Sequence, residues 1–408
     1  MKKTELSKAA YMDCLACSEE DRNFALVNIA EQLLSREQEI LEANLKDMES
    51  ARSNNLNASL LDRLELSPKR IKEMSNSVLE ISKQEQVIGK EISSFTDSKG
   101  LTISKERVAL GVIAMIFESR PNVVIDSAAL AIKSGNAILL KGGKEAKLSN
   151  KVLSEVVRDS ISDTLNKNLV TNIDDRAEIL EIIQDTKNVA LAVPRGGQAL
   201  INYVYENAKV PVIAHFQGLC HIYVDAEANP NIVTDILINA KAQRPGVCNS
   251  METLIFHREY PKQHLLEALQ ALESVGIELR VDPSLALINS RWALAEERDW
   301  ASEYLDKLLS VRVADSIDEA ISHIQNYGTN HTEAILTENK ASYEQFKDRI
   351  DASCIMWNAS TRFNDGGCLG LGAELGISTT KIHAYGPMGA KEMTTERFLV
   401  IGQGQIRT

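Results

Sequence analysis

Three short apolar runs, residues 108–117, 137–140 and 189–193, alternate with two helical segments, 123–133 and one around 152–161. No other feature constrains the fold of this chain as strongly. Strand, helix, strand, helix, strand is the signature of a parallel sheet covered by helices, so the chain is expected to be an α/β protein. Such sheets bind ligands beyond the carboxyl ends of their strands. Two of those ends are glycine-rich here: Lys141-Gly142-Gly143-Lys144 and Pro194-Arg195-Gly196-Gly197. Neither is a G-x-G-x-x-G. Paired glycines after a strand let backbone donors approach a phosphate, and a plain strand-to-helix turn explains each pair equally well.

Around this core, the first 85 or so residues are expected to be helical. Ser18 and Asp21 form a capping pair ahead of Leu26, Ile29, Ala30, Leu33 and Leu34, and Ser67-Pro68 opens a second pattern through Ile71, Met74, Val78 and Ile81. Residues 86–107 shift to short alternating runs about Asp97-Ser98-Lys99-Gly100, which predicts a hairpin. An isolated two-stranded unit is marginal alone, so a projecting hairpin calls for a partner, although a surface hairpin without one has the same composition. Residues 397–406 are expected to form a last strand. The glycine-rich stretch from Gly366 to Gly376 has a spacing with no helix pattern after it and reads as a tight loop.

At 408 residues the chain needs two or three domains. No apolar run reaches the roughly 20 residues needed to span a bilayer, and the opening Met1-Lys2-Lys3-Thr4-Glu5-Leu6 lacks the apolar core of a signal peptide, so a cytoplasmic location is expected. A net charge of -12 argues against nucleic acid and anionic membranes as partners. The six cysteines are too dispersed for a disulfide framework. Cys14 and Cys17 form a C-x-x-C without two further zinc ligands nearby, so no metal is expected and the pair reads as incidental on a helix.

Cys248 is different. It follows the polar loop Gln243-Arg244-Pro245-Gly246-Val247 and precedes an amphipathic run, which predicts a helix start or a sharp turn. A helix N-terminus or a nearby cation lowers a thiol pKa and favours the nucleophilic thiolate. The competing reading is a buried, inert cysteine.

The Cys248 loop, the Gly-Val-Ile strand followed by Glu118-Ser119-Arg120-Pro121-Asn122, the Pro194-Arg195-Gly196-Gly197 turn, and Asn358-Ala359-Ser360-Thr361-Arg362-Phe363 occur in one order. Together they resemble the gamma-glutamyl phosphate reductases of the aldehyde dehydrogenase superfamily. The resemblance implies an aldehyde dehydrogenase-like fold: a five-stranded Rossmann-like cofactor domain (1–90 and 108–214), an α/β catalytic domain (215–390), and a β oligomerisation arm (91–107 and 391–408). It also implies reduction of L-glutamate 5-phosphate by NADPH to the 5-semialdehyde and phosphate, the second step of proline biosynthesis, through a Cys248 thioester. In this frame Lys141, Lys144, Arg195, Gly196, Gly197 and Glu303 are the cofactor residues. Lys144 replaces the glutamate that often holds the ribose in NAD users, and a cation there suits the 2'-phosphate of NADPH.

Arg120, Arg244 and Arg362 are the candidate cations for substrate carboxylate or phosphate, with Ser360 and Thr361 beside Arg362. The Cys248 amide is the expected oxyanion donor, with Asn122 a candidate second one. The glutamate that activates water in hydrolytic relatives would stand 34 residues before Cys248, at Ala214. Its absence fits an enzyme that exchanges its acyl group with phosphate rather than water. The implied partners are copies of this chain through the arm and a separate glutamate 5-kinase that supplies the acyl phosphate. A hydrolytic aldehyde dehydrogenase and a non-catalytic member of the fold are the alternatives.

Overall fold

The computed structural model describes residues 1–214 and 217–407. The chain divides into two compact units: Met1–Ala214 with Gly370–Gly376 and Ile382–Thr408, and His215–Leu369 with Ile377–Lys381. The catalytic segment expected to run to residue 390 is therefore shorter, because 370–376 and 382–390 pack with the first unit.

In the first unit the N-terminal region folds as helices Lys3–Asp13, Glu19–Ser35, Glu37–Ser53, Ala58–Leu64 and Pro68–Lys83. The expected caps are present. Ser18 Oγ accepts from the Asp21 amide at 3.0 Å while Asp21 accepts from the Ser18 amide at 3.0 Å, and Ser67 Oγ accepts from the Arg70 amide with Pro68 in the first turn. The parallel sheet runs in the order Val170–Asn172, Ala137–Lys141, Val112–Phe117, Leu191–Arg195. It has four strands among the described residues rather than five; a single parallel bridge from Ala192 to Val212 extends its edge. The three-residue strand Val170–Asn172 is too short to leave a periodic signal. The run expected over 108–117 is two strands, because Gly111 takes φ +130° and turns the chain between Thr102–Ala109 and Val112–Phe117. The covering helices are Asn122–Lys133 and Lys147–Ile161.

Glu91–Thr96 and Thr102–Ala109 form the predicted hairpin, and Asp97 Oδ1 accepts from the Lys99 and Leu101 amides to hold its turn. Thr394–Ile401 pairs antiparallel with Thr102–Ala109 as a third strand.

Lys133 locks the helical layer to this unit. Its fully buried ammonium donates to Glu19 Oε1 at 2.5 Å, Asn23 Oδ1 at 2.9 Å, and the carbonyls of Gln84 at 2.8 Å and Ser82 at 3.3 Å. Lys133→Met strands a carboxylate and three other acceptors. It should cost about 3 kcal/mol, read as a lower thermal midpoint; an unchanged midpoint would mean that these acceptors find other donors.

Among the described residues, the second unit holds a seven-stranded, all-parallel sheet in the order Ala293–Leu294, Glu278–Val281, Leu308–Ala314, Met251–His257, Cys220–Val224, Thr332–Leu336, Cys354–Trp357. Alternate residues feed opposite faces. Leu254, Phe256, Ile222 and Val224 pack with Val233, Leu237 and Leu269, whereas Ile255 and Tyr223 pack with Ile321, Ile324 and Phe346.

Candidate active site

Cys248 lies on the turn between helix Pro230–Ala242 and strand Met251–His257, which is closed by the Ser250 amide donating to the Val247 carbonyl at 3.0 Å. Of the two expected settings the sharp turn is the observed one. The apolar run after it is a buried strand, and helix Pro230–Ala242 ends just before it, so neither flanking element offers a helix N-terminus to this thiol. Cys248 is half-buried and not in a disulfide.

Its surroundings are polar and tightly tied. Asn249, itself buried, donates through Nδ2 to the Asn364 carbonyl at 2.9 Å and accepts from Arg362 Nη1, while Arg362 Nε donates to Gln243 Oε1 at 3.1 Å. Burial pulls the Arg362 guanidinium below its usual range, opposed by Asp365 and assisted by the like charge of Arg244; Cys248 and Cys368 are also within electrostatic reach of it. Cys248, Arg244 and Arg362 are thus brought together, which supplies the nearby cation, one of the two expected alternatives. Ser360 Oγ accepts from the Arg362 amide, and Thr361 is fully buried. Both residues, expected beside Arg362 at the substrate end, are buried, and of the two hydroxyls Ser360 Oγ is the one that braces the turn carrying Arg362.

On the other side of the Cys248 peptide is Gly218. A β-carbon there would lie 2.1 Å from the Cys248 carbonyl oxygen, and Cys220 Sγ donates to the same oxygen at 3.1 Å. The Gly218 amide donates to Glu303 Oε1 at 2.9 Å. Glu303, expected among the cofactor residues, sits in the irregular segment after Glu297–Trp300. Gly218, Cys220 and Asn249 were not legible as site residues. The signals that could have marked them are weak: an isolated glycine, a second cysteine, and an asparagine next to the first.

In the first unit, the strand ends carry the other predicted residues. Glu145 Oε1 accepts from Ser119 twice, from the amide at 2.7 Å and from Oγ at 2.6 Å, with Ser119 at φ +42°. Lys141 is buried and donates to the Gly142 carbonyl at 2.6 Å; burial lowers its proton affinity, with Glu145 opposing. Lys144 is exposed. The glycines of this turn answer to packing: a β-carbon at Gly142 would meet Asn150 Nδ2 at 2.0 Å, and one at Gly143 would meet Glu145 Oε1 at 2.1 Å.

The second turn is already engaged. The Gly197 amide donates to Glu118 Oε2 at 2.7 Å, a β-carbon at Gly196 would meet the same oxygen at 2.4 Å, and Arg195 is paired with Glu374 at 3.1 Å while donating to the Leu375 carbonyl at 2.7 Å. Arg195 therefore anchors the Gly370–Gly376 loop, and a carboxylate occupies the donor expected for a phosphate. Asn122, at the start of helix Asn122–Lys133, donates to Asp126 at 2.9 Å; it and Arg120 are half-buried.

The model of the aldehyde dehydrogenase family matches residues 5–291. A gamma-glutamyl phosphate reductase of Halothermothrix orenii is 45% identical, with 95% of this chain and 93% of the relative covered. One of Nautilia profundicola is 46% identical, with 94% and 93% covered. The crystal structure of the gamma-glutamyl phosphate reductase of Thermotoga maritima superposes with a TM-score of 0.96 at 41% identity, over 100% of this chain and 99% of that one. An acetylating aldehyde dehydrogenase of Geobacillus thermoglucosidasius shares the fold, with a TM-score of 0.73 at 15% identity over 100% and 97%. The chain belongs to the aldehyde dehydrogenase family and, within it, to the gamma-glutamyl phosphate reductases.

Proposed function

We propose that this chain reduces L-glutamate 5-phosphate to L-glutamate 5-semialdehyde and inorganic phosphate with NADPH, the second step of proline biosynthesis. The observation that carries the chemistry is the Cys248 turn, where a half-buried thiol has the Arg362 charge within electrostatic reach. An acyl phosphate is a mixed anhydride with a good leaving group. The Cys248 thiolate attacks its carbonyl carbon, the carbon–sulfur bond forms, and the carbon–oxygen bond to phosphate breaks. Arg362 and Arg244 are cations suited to the phosphate and the thiolate, and the Cys248 amide is the donor for the oxyanion. NADPH, when bound, supplies the hydride that converts the thioester to a thiohemiacetal. Its collapse breaks the carbon–sulfur bond, releases the aldehyde and returns the thiol. Alanine at position 214 leaves no carboxylate at the place from which hydrolytic relatives activate water.

The donor set at the end of strand Ala137–Lys141 fits an anionic dinucleotide, with an exposed Lys144 and a buried Lys141. The Gly196–Gly197 turn fits it less well, since Glu118 already takes the Gly197 amide. Lys144→Glu should raise the KM for NADPH on the order of tenfold and leave that for NADH nearly unchanged. An unaltered ratio of the two would move 2'-phosphate recognition elsewhere.

Run in reverse, the protein should reduce NADP from glutamate semialdehyde only when inorganic phosphate is present. Phosphate-independent turnover would make it a hydrolytic dehydrogenase instead. Phe95, Phe398, Val400 and Ile401 are exposed on the three-stranded arm, which supports its use in joining copies of this chain. The acyl phosphate comes from a separate glutamate 5-kinase, and contact between the two proteins would shorten its exposure to water.

A further inference from the structure

Strand Met251–His257 is buried as far as Phe256 and apolar there except for Glu252 and Thr253, and helix Pro230–Ala242 ends beside a buried lysine. Lys241 Nζ and Glu252 Oε2 meet at 2.6 Å, with the two side chains 0% and 1% exposed. A buried ion pair is no more stabilising than a well-packed apolar pair of the same size, so its presence asks for another reason. The second oxygen of Glu252 supplies one: Oε1 accepts from the Leu305 amide at 3.2 Å. Leu305 has φ +52°, a left-handed conformation that costs a branched residue on the order of 1 kcal/mol and persists only where surrounding contacts impose it.

Two residues before Leu305, Glu303 takes the Gly218 amide at 2.9 Å, and Gly218 lies flat against the Cys248 carbonyl. The polar contacts therefore run from Lys241 through Glu252, the Glu303–Leu305 segment and Gly218 back to the peptide that carries the thiol. Tyr304 steadies the same segment: its hydroxyl lies 2.7 Å from Ser310 Oγ and 3.1 Å from Asp299 Oδ1, and Arg280 pairs with that carboxylate at 2.6 Å. We propose that Glu252, held by Lys241, is a positioning residue that fixes the Cys248 peptide through the Glu303–Leu305 segment and Gly218. Its role is that of an acceptor for Leu305, and Lys241 balances the buried negative charge, so a neutral acceptor needs no lysine. The inference rests on Cys248 being the nucleophile.

Two double variants separate positioning from simple stability. Lys241→Met with Glu252→Gln removes both charges and keeps an oxygen acceptor for Leu305. Lys241→Met with Glu252→Met removes the acceptor at similar size. The readouts are the rate of Cys248 alkylation by iodoacetamide in cofactor-free protein, kcat, and the thermal midpoint. The glutamine pair should stay within about threefold of the parent in alkylation rate and kcat. The methionine pair should lose on the order of a hundredfold in kcat, with an altered alkylation rate, at a thermal midpoint like that of the glutamine pair.

Equal behaviour of the two pairs, or a kcat loss that tracks the midpoint alone, overturns the proposal. Hydrogen exchange in the unaltered protein needs no variant: the Leu305 and Gly218 amides should be protected like the interior of strand Met251–His257, and rapid exchange at both overturns it as well. Failure of the nucleophile assignment is a different result, namely turnover that survives Cys248→Ala.

Discussion

Cys248→Ala is expected to lower turnover by at least about 10⁴-fold, because no other group on the turn can carry the acyl chain. Cys220 is a second sulfur beside the Cys248 peptide, but it is fully buried, its thiol is committed to the Cys248 carbonyl, and burial pushes it well above the usual thiol range, with the charges of Glu333 and Cys248 adding to the effect. A group so placed stays protonated and inert. Removing Sγ of residue 248 leaves the Asn249, Arg362 and Gln243 contacts in place, so the thermal midpoint should hold and NADPH should still bind. Single-turnover kinetics with acyl phosphate check this directly: the parent should release phosphate ahead of NADPH oxidation and the variant should release none. Comparable turnover in the variant would exclude the thioester route.

The second large effect is expected at Gly218. A β-carbon there meets three backbone atoms of residue 248, at 2.1 Å for the oxygen, 2.7 Å for the carbonyl carbon and 2.8 Å for Cα. Backbone atoms cannot rotate aside as a side chain does, so Gly218→Ala must push the two segments apart by about an ångström. A displacement of that size at a reacting group costs on the order of a hundredfold in kcat, and overpacking adds about 1–3 kcal/mol of destabilisation. Gly218 does not have a positive φ, so the effect is one of space and not of backbone strain. The comparison is Gly370, which has φ +80° and nothing near its missing β-carbon. Alanine there should strain the backbone locally and spare the kcat that residue 218 controls. Parental kcat in Gly218→Ala would show that the Cys248 peptide tolerates movement.

The helices and the parallel strands of the first unit were legible because their signals are local. Ser18 and Asp21 cap a helix wherever it packs, and the alternation of apolar runs with amphipathic segments leaves few architectures. Where length failed, legibility failed: Val170–Asn172 has three residues, and the break at Gly111 is invisible to a pattern that counts apolar residues. The second unit illustrates a different limit. Its strands are buried on both faces, so Met251–His257 shows no clean alternation, reads as an amphipathic run, and leaves a helix start and a sharp turn at Cys248 equally open.

By itself the sequence determined the class of fold and the family, and it singled out Cys248 as the candidate nucleophile, since motifs in a fixed order and a cysteine in a polar loop need no coordinates. Only the tertiary structure decided what surrounds that cysteine. Gly218, Lys241, Glu252, Glu303 and Arg362 lie between 4 and 114 residues from Cys248 in the chain. Their roles depend on hydrogen bonds and close approaches made across a folded sheet. Of the helix N-terminus and the nearby cation that the sequence allowed, the tertiary structure placed the cation, Arg362, within electrostatic reach of the sulfur, because helix Pro230–Ala242 ends before Cys248.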